Sequence, residues 1–499
     1  MFSNLEPTPQ PLAFLPLLLQ NNQRQLLKAF WLVALGLFLF ELFSTGTSSE
    51  SSSLVTNFSA ILITAAALLP CYLWCSGQAQ GMPIFPFFSL TFIWTYALPL
   101  VGNHSKVMSY SSASHFFASC TVAGFLGLGT FVWFQFVKST PLPPKSYRAL
   151  SSHKGQAFFL WVMVAGVLFN MYFVGGWFFL DGGIFSIVRG AILGLTALAT
   201  FALAYQLGTQ ELSKVQASLF LFLLVANMIT NAIGLLIVGA ASTFLVATIA
   251  FIIGRQKIPT LTILIVLVCL SVLHYGEGEM RAKYWFSGQP TFLQPWDYPA
   301  WYAEWTGYSF KFLGEQNDLP KSQERASLFQ RSSVIHLLLL AQDKSPDTLP
   351  FLYGQTYAIL PQLLVPRIFN ADKIRSHEGT YILNIHYGLQ TRQDTFTTTI
   401  GWGLLAESYA NFGLLGCGGL AIVLGVVYGQ STRWSLNTPI LSDRSLFAVL
   451  MMTFAFQTEW TAGVYVAALF QSSVVLGGIV LFLMRSYWMA NPTIFTDRA

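Results

Sequence analysis

A carboxylate and an amide stand four residues apart in an apolar stretch of the chain, ESYANFGLLG at residues 407–416. On a helix, side chains with this spacing share one face, so Glu407 and Asn411 are expected to act at the same place. Ionisable residues inside apolar membrane segments are energetically costly and mark functional sites. We therefore expect Glu407 either to accept a proton from a substrate hydroxyl group or to form an ion pair that orients an arginine.

Arginines form the second set of residues with the means to do chemistry. Arg189 lies in DGGIFSIVRGAILG, near the end of an apolar segment, where a guanidinium needs a partner or a ligand. The planar guanidinium donates two parallel hydrogen bonds, which suits the oxygens of a phosphate group. The pattern favours a diphosphate site; the alternative is that these side chains snorkel or pair with nearby acidic residues. Six further candidates lie in one large polar segment: Arg281, Arg325, Arg331, Arg367, Arg375 and Arg392.

Two histidines in the same polar segment are candidates for general-base catalysis. His336 lies in a predicted helix at 322–342, and His377 lies in RSHEGT. Imidazole accepts a proton near neutral pH, although a structural hydrogen bond is the alternative role for each. The sequence contains no HExxH or comparable ligand spacing, so we expect no metal site and no cofactor.

Aromatic residues are concentrated at 284–312, where twelve occur among 29 residues. Amphipathic rings of this kind gather at the membrane interface. They could equally form a stacking surface for sugar rings, whose C–H faces pack on aromatic planes. The two interpretations are compatible.

The composition shows where these residues act. Of 499 residues, 54% are hydrophobic and only 9% are charged, whereas soluble domains carry about 25% charged residues. About 20 apolar residues cross a bilayer as a helix. The sequence therefore predicts an all-α polytopic membrane protein with about twelve spans, within a range of ten to fourteen. The expected limits are 27–44, 54–75, 84–101, 115–137, 157–179, 184–205, 214–232, 234–253, 258–275, 405–429, 444–459 and 463–484.

Lysine and arginine are concentrated in alternate short loops, which sets the orientation by the positive-inside rule. Both termini are expected in the cytoplasm and the large polar segment on the periplasmic side. Three parts follow: a bundle of about nine spans at 1–275, a large, mostly helical external loop with active-site elements at 276–398, and about three spans at 399–499. Within the loop, 349–366 is interrupted by prolines and is expected to be re-entrant or interfacial. The net charge of +5 reflects the cytoplasmic loops and does not indicate nucleic-acid binding.

Three motifs follow one another in the second half of the chain: YGQTYAILPQLLVPRIF, a polar loop with RSHEGT, and TTTIGWGLLAESYANFGLLGCGGLAIVLG. Their order resembles that of the Wzy-type polysaccharide polymerases, which act on O-antigen and other oligosaccharide repeat units. The similarity covers about residues 350–425 in motif and the whole chain in topology. It carries the family's pattern onto Arg367, Glu407, Tyr409 and Asn411. Arg189 resembles the family's arginine at the outer end of a mid-chain span.

The resemblance implies a glycosyltransferase with a GT-C-type fold in the bacterial inner membrane, making O-antigen or exopolysaccharide. Undecaprenyl-diphosphate-linked oligosaccharides would be both donor and acceptor, with membrane lipids, a chain-length regulator and a flippase as further partners. Arg189, Arg367 and other outer arginines would bind the diphosphate, and Tyr409 and Asn411 would lie in the substrate site. The proton of the attacking hydroxyl would pass to one of three candidates: Glu407, His377 or His336.

Three other functions fit parts of the pattern. An O-antigen-ligase-type enzyme would share the fold and the donor but transfer the glycan to a different acceptor. A transporter or flippase for a lipid-linked glycan would need inverted repeats and broken helices near the midplane of the bilayer. A sensor or assembly scaffold would leave the outer arginines and Glu407 without a role.

Overall fold

The apolar blocks of the sequence form long helices in the computed structural model, which describes residues 20–43, 54–102, 104–139, 141–150, 152–177, 180, 182–235, 237–285, 292–314, 333–365, 370, 373–396 and 398–488. Within these ranges, eleven helical segments are long and apolar enough to cross a membrane, and each coincides with a predicted span. The protein is thus an all-α, multi-pass membrane protein. Its described helices are α1 (Gln20–Phe43), α2 (Leu54–Cys75), α3 (Ile84–Phe92), α4 (Leu98–Val101), α5 (Ser105–Met108), α6 (Ser112–Val137), α7 (Ser152–Val174), α8 (Gly182–Gly208), α9 (Lys214–Ala232), α10 (Ile237–Arg255), α11 (Thr260–Tyr284), α12 (Tyr298–Gly314), α13 (Ile335–Lys344), α14 (Gln355–Ala358), α15 (Leu360–Leu364), α16 (Glu378–His386), α17 (Gly403–Ser435), α18 (Asp443–Ala455) and α19 (Ala462–Phe482).

The predicted span at 444–459 forms a shorter helix than expected. Helix α18 has 13 residues, about 20 Å at 1.5 Å per residue, which falls short of the hydrocarbon thickness of about 30 Å. Residues 456–461 then continue without helix into α19. Thr458 and Thr461 in this 456–461 loop are buried. The loop is therefore packed into the bundle, as irregular backbone in a membrane protein must be.

A two-stranded antiparallel sheet joins distant parts of the chain, which the sequence analysis did not predict. Strand β1 (Ser146–Leu150) pairs with β2 (Met484–Trp488), and Ala149 forms a further bridge to Ser442. These segments precede α7, follow α19 and connect α17 to α18. The positive-inside rule places all three on one side of the membrane, and their contact agrees with that placement.

Helix α17 is interrupted inside ESYANFGLLG. Gly413 (φ 60°, ψ −145°) and the residue before it leave the helical region, so the carbonyls of Ala410 and Asn411 lose the N–H groups four residues ahead. The outer loop replaces them: Leu352 N donates to Ala410 O at 3.0 Å, and Tyr353 N donates to Asn411 O at 3.1 Å. The break in the helix thus creates the attachment point for the loop.

We expect Gly413→Ala to lower the free energy of unfolding by about 1–3 kcal/mol, because an L-residue is strained in this backbone region. An added Cβ would also lie 3.0 Å from Phe351 Cζ. The matched control is Gly419→Ala in the same helix, where a Cβ meets nothing within 4 Å. Denaturant unfolding in detergent compares the two variants. Equal stability of both would contradict the structural role of Gly413.

The described part of the helix predicted at 322–342 is inserted into the bundle rather than lying over it. Residues 322–332 lie outside the described residues, and the described remainder, α13, is mostly buried. Val334 N donates to Thr95 O at 2.8 Å. Thr95 belongs to a π-helical turn, Ile93–Ala97, between α3 and α4. Such turns alter the backbone pairing within a helix and are common at functional sites.

The segment predicted to be re-entrant, 349–366, forms two short helices, α14 and α15. Pro361 lies in the first turn of α15, where its missing N–H costs nothing. Gly354 precedes α14 with a φ of 88°, a conformation that glycine adopts without strain.

The aromatic segment at 284–312 is divided between a core and the surface. Trp301 and Trp305 are buried in a small second core with Met280 and Leu235. Trp296, in contrast, is 75% exposed. Part of this segment therefore holds α12 against α11, and part faces the surroundings.

Candidate active site

Glu407 lies in the first turns of α17 and is fully buried. Its Oε2 accepts a hydrogen bond from Ala462 N, the first residue of α19, at 2.6 Å. The free N–H groups at a helix N-terminus favour an anionic partner. The hydroxyl of Thr356 also lies close enough to donate to this carboxyl group. Glu407 thus ties α17 to α19, and its partner is a helix N-terminus rather than an arginine of the described chain.

Asn411 shares the face of Glu407, as the spacing predicted, and is also fully buried. Its Nδ2 donates to Thr356 Oγ1 and to Glu407 O, both at 2.8 Å. Its Oδ1 accepts from Gly354 N at 3.0 Å. One amide hydrogen and the amide oxygen therefore hold the outer loop on α17, while the other hydrogen bonds within the helix. Tyr409 is likewise buried and packs its ring edge-on against Phe351, with centroids 6.2 Å apart.

Arg189 and His377 come together at the end of the bundle that carries the outer loop, which we term the loop end. Arg189 is exposed, and its guanidinium lies 5.7 Å from the centre of the Phe173 ring. Burial lowers the pKa of His377 below its usual value, and the positive charge of Arg189 lowers it further. An imidazole in this setting is neutral near pH 7, and it lies within electrostatic reach of an accessible cation.

The N-terminal half of α19 positions both of these residues. Helix α8, which carries Arg189, packs closely on α19: a Cβ added at Gly194 would lie 2.7 Å from Ser472 Oγ. Helix α16, which begins just after His377, is joined to α19 by a 2.9 Å hydrogen bond between the hydroxyls of Thr380 and Thr461. Since Glu407 holds the N-terminus of α19, it stabilises this arrangement indirectly.

His336 lies in a different environment from His377. It stacks on His104, with ring centroids 5.5 Å apart and planes inclined by 17°. Burial, with the nearby charges of His104 and Lys106, lowers the pKa of His336 to about 4. A base with so low a pKa accepts protons poorly at neutral pH. The lowered pKa therefore disfavours His336 as the base.

Two of the predicted diphosphate-binding arginines are engaged within the protein. Arg281 donates to Leu235 O from Nε at 3.0 Å and from Nη2 at 2.6 Å, and it pairs with Glu277. Arg392 pairs with Glu378 at 2.8 Å. Pairing with nearby acidic residues was the alternative to phosphate binding that the sequence analysis allowed for these arginines. Arg375 is exposed, and three further predicted arginines lie outside the described residues: Arg325, Arg331 and Arg367.

Glu459 is a candidate that the sequence analysis missed, because it fell at the last position of a predicted span. Its side chain is exposed, while its carbonyl accepts a hydrogen bond from Gly403 N at 3.0 Å. Desolvation by the surrounding protein raises the pKa of its carboxyl, and Arg281 offsets part of this rise. An accessible carboxyl with a raised pKa lies in a recess of the surface. The sequence did contain a feature that could have identified Glu459: it is an acidic residue beside Trp460 at the end of an apolar block.

The described site therefore offers an accessible guanidinium, a neutral imidazole and a recessed carboxyl at the loop end of the bundle. Together they can bind an anion and accept a proton. A scan against protein-family models found no match, and neither did searches of the curated proteins and of the solved structures. The likeness to polysaccharide polymerases rests on the motifs of the chain itself.

Proposed function

We propose that the protein is a glycosyltransferase that joins lipid-diphosphate-linked oligosaccharide repeat units into a polysaccharide, as Wzy-type polymerases do. The observation that carries the proposal is the proximity of Arg189 and His377 at the accessible loop end. The motif order at 350–425 supports it. The proposal includes a GT-C-type fold in the inner membrane, a periplasmic outer loop and cytoplasmic termini.

Arg189 binds the diphosphate of the donor in this mechanism. The charge on the diphosphate grows as the bond between its oxygen and the anomeric carbon breaks, and the electron pair leaves with the diphosphate. A fixed guanidinium stabilises charge most where it develops during the reaction. Its fork of N–H groups also matches two phosphate oxygens at once.

His377 accepts the proton of the acceptor hydroxyl as that oxygen attacks the anomeric carbon. The neutral imidazole is the form that can do so, and both burial and Arg189 favour it. Glu407 and Asn411 are positioning residues here: they hold α19 and the outer loop in place through buried hydrogen bonds.

The pH profile of the reaction tests the role of His377. Since its pKa lies below the usual 6.5, the rate should be level near neutral pH and fall only as the pH drops through this lowered pKa. His377→Ala should remove that acidic limb and lower the rate by about 10²- to 10⁴-fold. In the residual activity of Arg189→Ala the limb should move to higher pH, because one charge that disfavours the imidazolium is gone. An acidic limb that persists unchanged in His377→Ala would assign the proton to another base.

One reaction separates the proposed function from its alternatives. The purified protein is incubated with a single lipid-linked repeat unit that serves as both donor and acceptor. We expect a ladder of products with increasing numbers of repeats. Transfer of one glycan to a different acceptor only would indicate a ligase, and movement of intact substrate across vesicles without a new bond would indicate a transporter.

A further inference from the structure

A cavity of about 200 Å³, mainly apolar but lined by several amides and hydroxyls, lies next to Arg189. It lies between α7, α8, α9 and α10, with the end of α18 and the 456–461 loop as its remaining wall. Leu193, which lines it, follows Arg189 by four residues and so lies one turn further along the same face of α8. The cavity is therefore adjacent to the cation that we assign to the diphosphate.

The polar groups of this cavity are amides and hydroxyls, and none of its described lining residues carries a charge. A mainly apolar cavity without charged groups disfavours ions, whose desolvation nothing there would offset. The cavity therefore selects a neutral ligand that forms hydrogen bonds. The principal polar residues are Asn170, Thr196, Asn227, Asn231, Ser242 and Gln457.

Two oxygen atoms in the wall of the cavity have no hydrogen-bond partner among the described residues, although neither has surface exposed to the cavity. Asn227 is fully buried, and its Nδ2 donates to Met163 O at 3.1 Å and to Leu223 O at 2.9 Å. These bonds fix the amide, yet Asn227 Oδ1 and Thr196 Oγ1 have no hydrogen-bond partner among the described residues. Both converge on the space beside Gly166, where an added Cβ would lie 2.8 Å from Thr196 Oγ1 and 2.9 Å from Asn227 Oδ1. Each buried polar atom left unpaired costs about 1–3 kcal/mol, so a ligand hydroxyl that displaces the wall near Gly166 and bonds either oxygen recovers part of that cost.

Aromatic rings complete the recognition chemistry. Trp460 and Phe454 line the cavity with ring centroids 5.9 Å apart. Aromatic faces pack on apolar C–H groups, while amides and hydroxyls bind hydroxyl groups. The volume lies below the range of about 300–1,000 Å³ that holds drug-sized ligands, which suits one ring better than an oligosaccharide.

We propose that this cavity binds a single neutral sugar ring. Within the proposed function, on which this assignment of the ligand's origin rests, the ring belongs to the glycan whose diphosphate lies at Arg189. The recognition itself needs only hydroxyl groups for Asn227 and Thr196 and a C–H face for Trp460.

Saturation-transfer NMR tests the proposal on the purified full-length protein in lauryldimethylamine oxide, a detergent without sugar. The probes are methyl and octyl monoglycosides of neutral hexoses and N-acetylhexosamines. We expect the wild type to bind at least one of them. Gly166→Ala places a methyl group between the two oxygens and should weaken binding at least about tenfold. Thr196→Val keeps the shape but removes one hydroxyl, and should weaken binding about threefold to tenfold.

The control for both variants is Gly124→Ala in α6, where a Cβ meets nothing within 4 Å and binding should equal that of the wild type. Tighter binding of octyl than of methyl glycosides identifies a lipid-linked sugar, and equal binding identifies the ring alone. The proposal is overturned if no probe binds the wild type, or if both cavity variants bind as the wild type does.

Ladder formation is measured separately, so that the two proposals can fail independently. If glycosides bind and Gly166→Ala weakens that binding, but the protein makes no ladder, the sugar site stands and the polymerase proposal fails. If the protein makes a ladder but binds no glycoside, the polymerase proposal stands and the sugar site fails.

Discussion

Replacing Arg189 with alanine should lower the rate of chain extension by about 10²- to 10³-fold, the loss that follows removal of one group stabilising the charge of a transition state. Arg189 is the described arginine whose charge lowers the pKa of His377 at the loop end. The rate of Arg189→Lys should lie between the rates of the wild type and Arg189→Ala, because lysine keeps the charge but loses the two parallel hydrogen bonds. The measurement is the initial rate of ladder formation with a purified lipid-linked repeat unit.

Arg392→Ala is the matched control for this experiment. Arg392 lies in the outer loop, where its side chain is 53% exposed and paired with Glu378. An exposed ion pair contributes at most about 1 kcal/mol, so the rate should stay within about fivefold of the wild type. A wild-type rate in Arg189→Ala, with the protein folded and inserted, would remove Arg189 from the diphosphate site.

Glu407→Ala should lower the free energy of unfolding by about 2–4 kcal/mol and abolish most activity with it. The variant leaves a cavity in a fully buried position and deprives Ala462 N of its acceptor. Glu407→Gln keeps an oxygen for Ala462 N. We therefore expect it to lose less than about 1.5 kcal/mol and to retain at least about a tenth of the activity. Unfolding in denaturant and ladder formation are measured on the same preparations.

This pair of variants decides whether Glu407 is a proton acceptor, as the sequence allowed, or a residue that positions α19, as its hydrogen bond to Ala462 indicates. A positioning residue is rescued by the amide, because the hydrogen bond to α19 survives. A proton acceptor is not, because the amide cannot take up a proton near neutral pH. A Glu407→Gln protein that is as stable as the wild type but at least a thousandfold slower would establish Glu407 as the base.

The membrane helices could be predicted because a long apolar block has one stable form in lipid. The expected span at 54–75 has the bounds of α2, Leu54–Cys75. The span at 444–459 differs because only tertiary packing can hold residues 456–461 outside a helix. The strands β1 and β2 could not be predicted, since each is five residues long and is stabilised by a partner from the other end of the chain.

The candidate site shows the same limit of local patterns. Helical spacing correctly put Glu407 and Asn411 on one face. It contained no information on what that face meets, which is the buried N-terminus of α19 and the outer loop rather than solvent. The partners of Arg281 and Arg392 were equally undetermined, because an arginine bound to a carboxylate and one awaiting a phosphate have the same sequence signature. The position of Glu459 could not be predicted, because it depends on the 456–461 loop, which forms where the sequence predicts the end of a helix.

The sheet of β1 and β2 bears on the order in which the protein is completed. Strand β1 is synthesised before α7, and its partner follows α19. Until β2 emerges, the edge of β1 has no strand to pair with. Closing so long a stretch of chain carries an entropic cost that only a finished bundle offsets, by bringing the two segments together. Formation of this sheet therefore reports that the bundle from α7 to α19 has assembled.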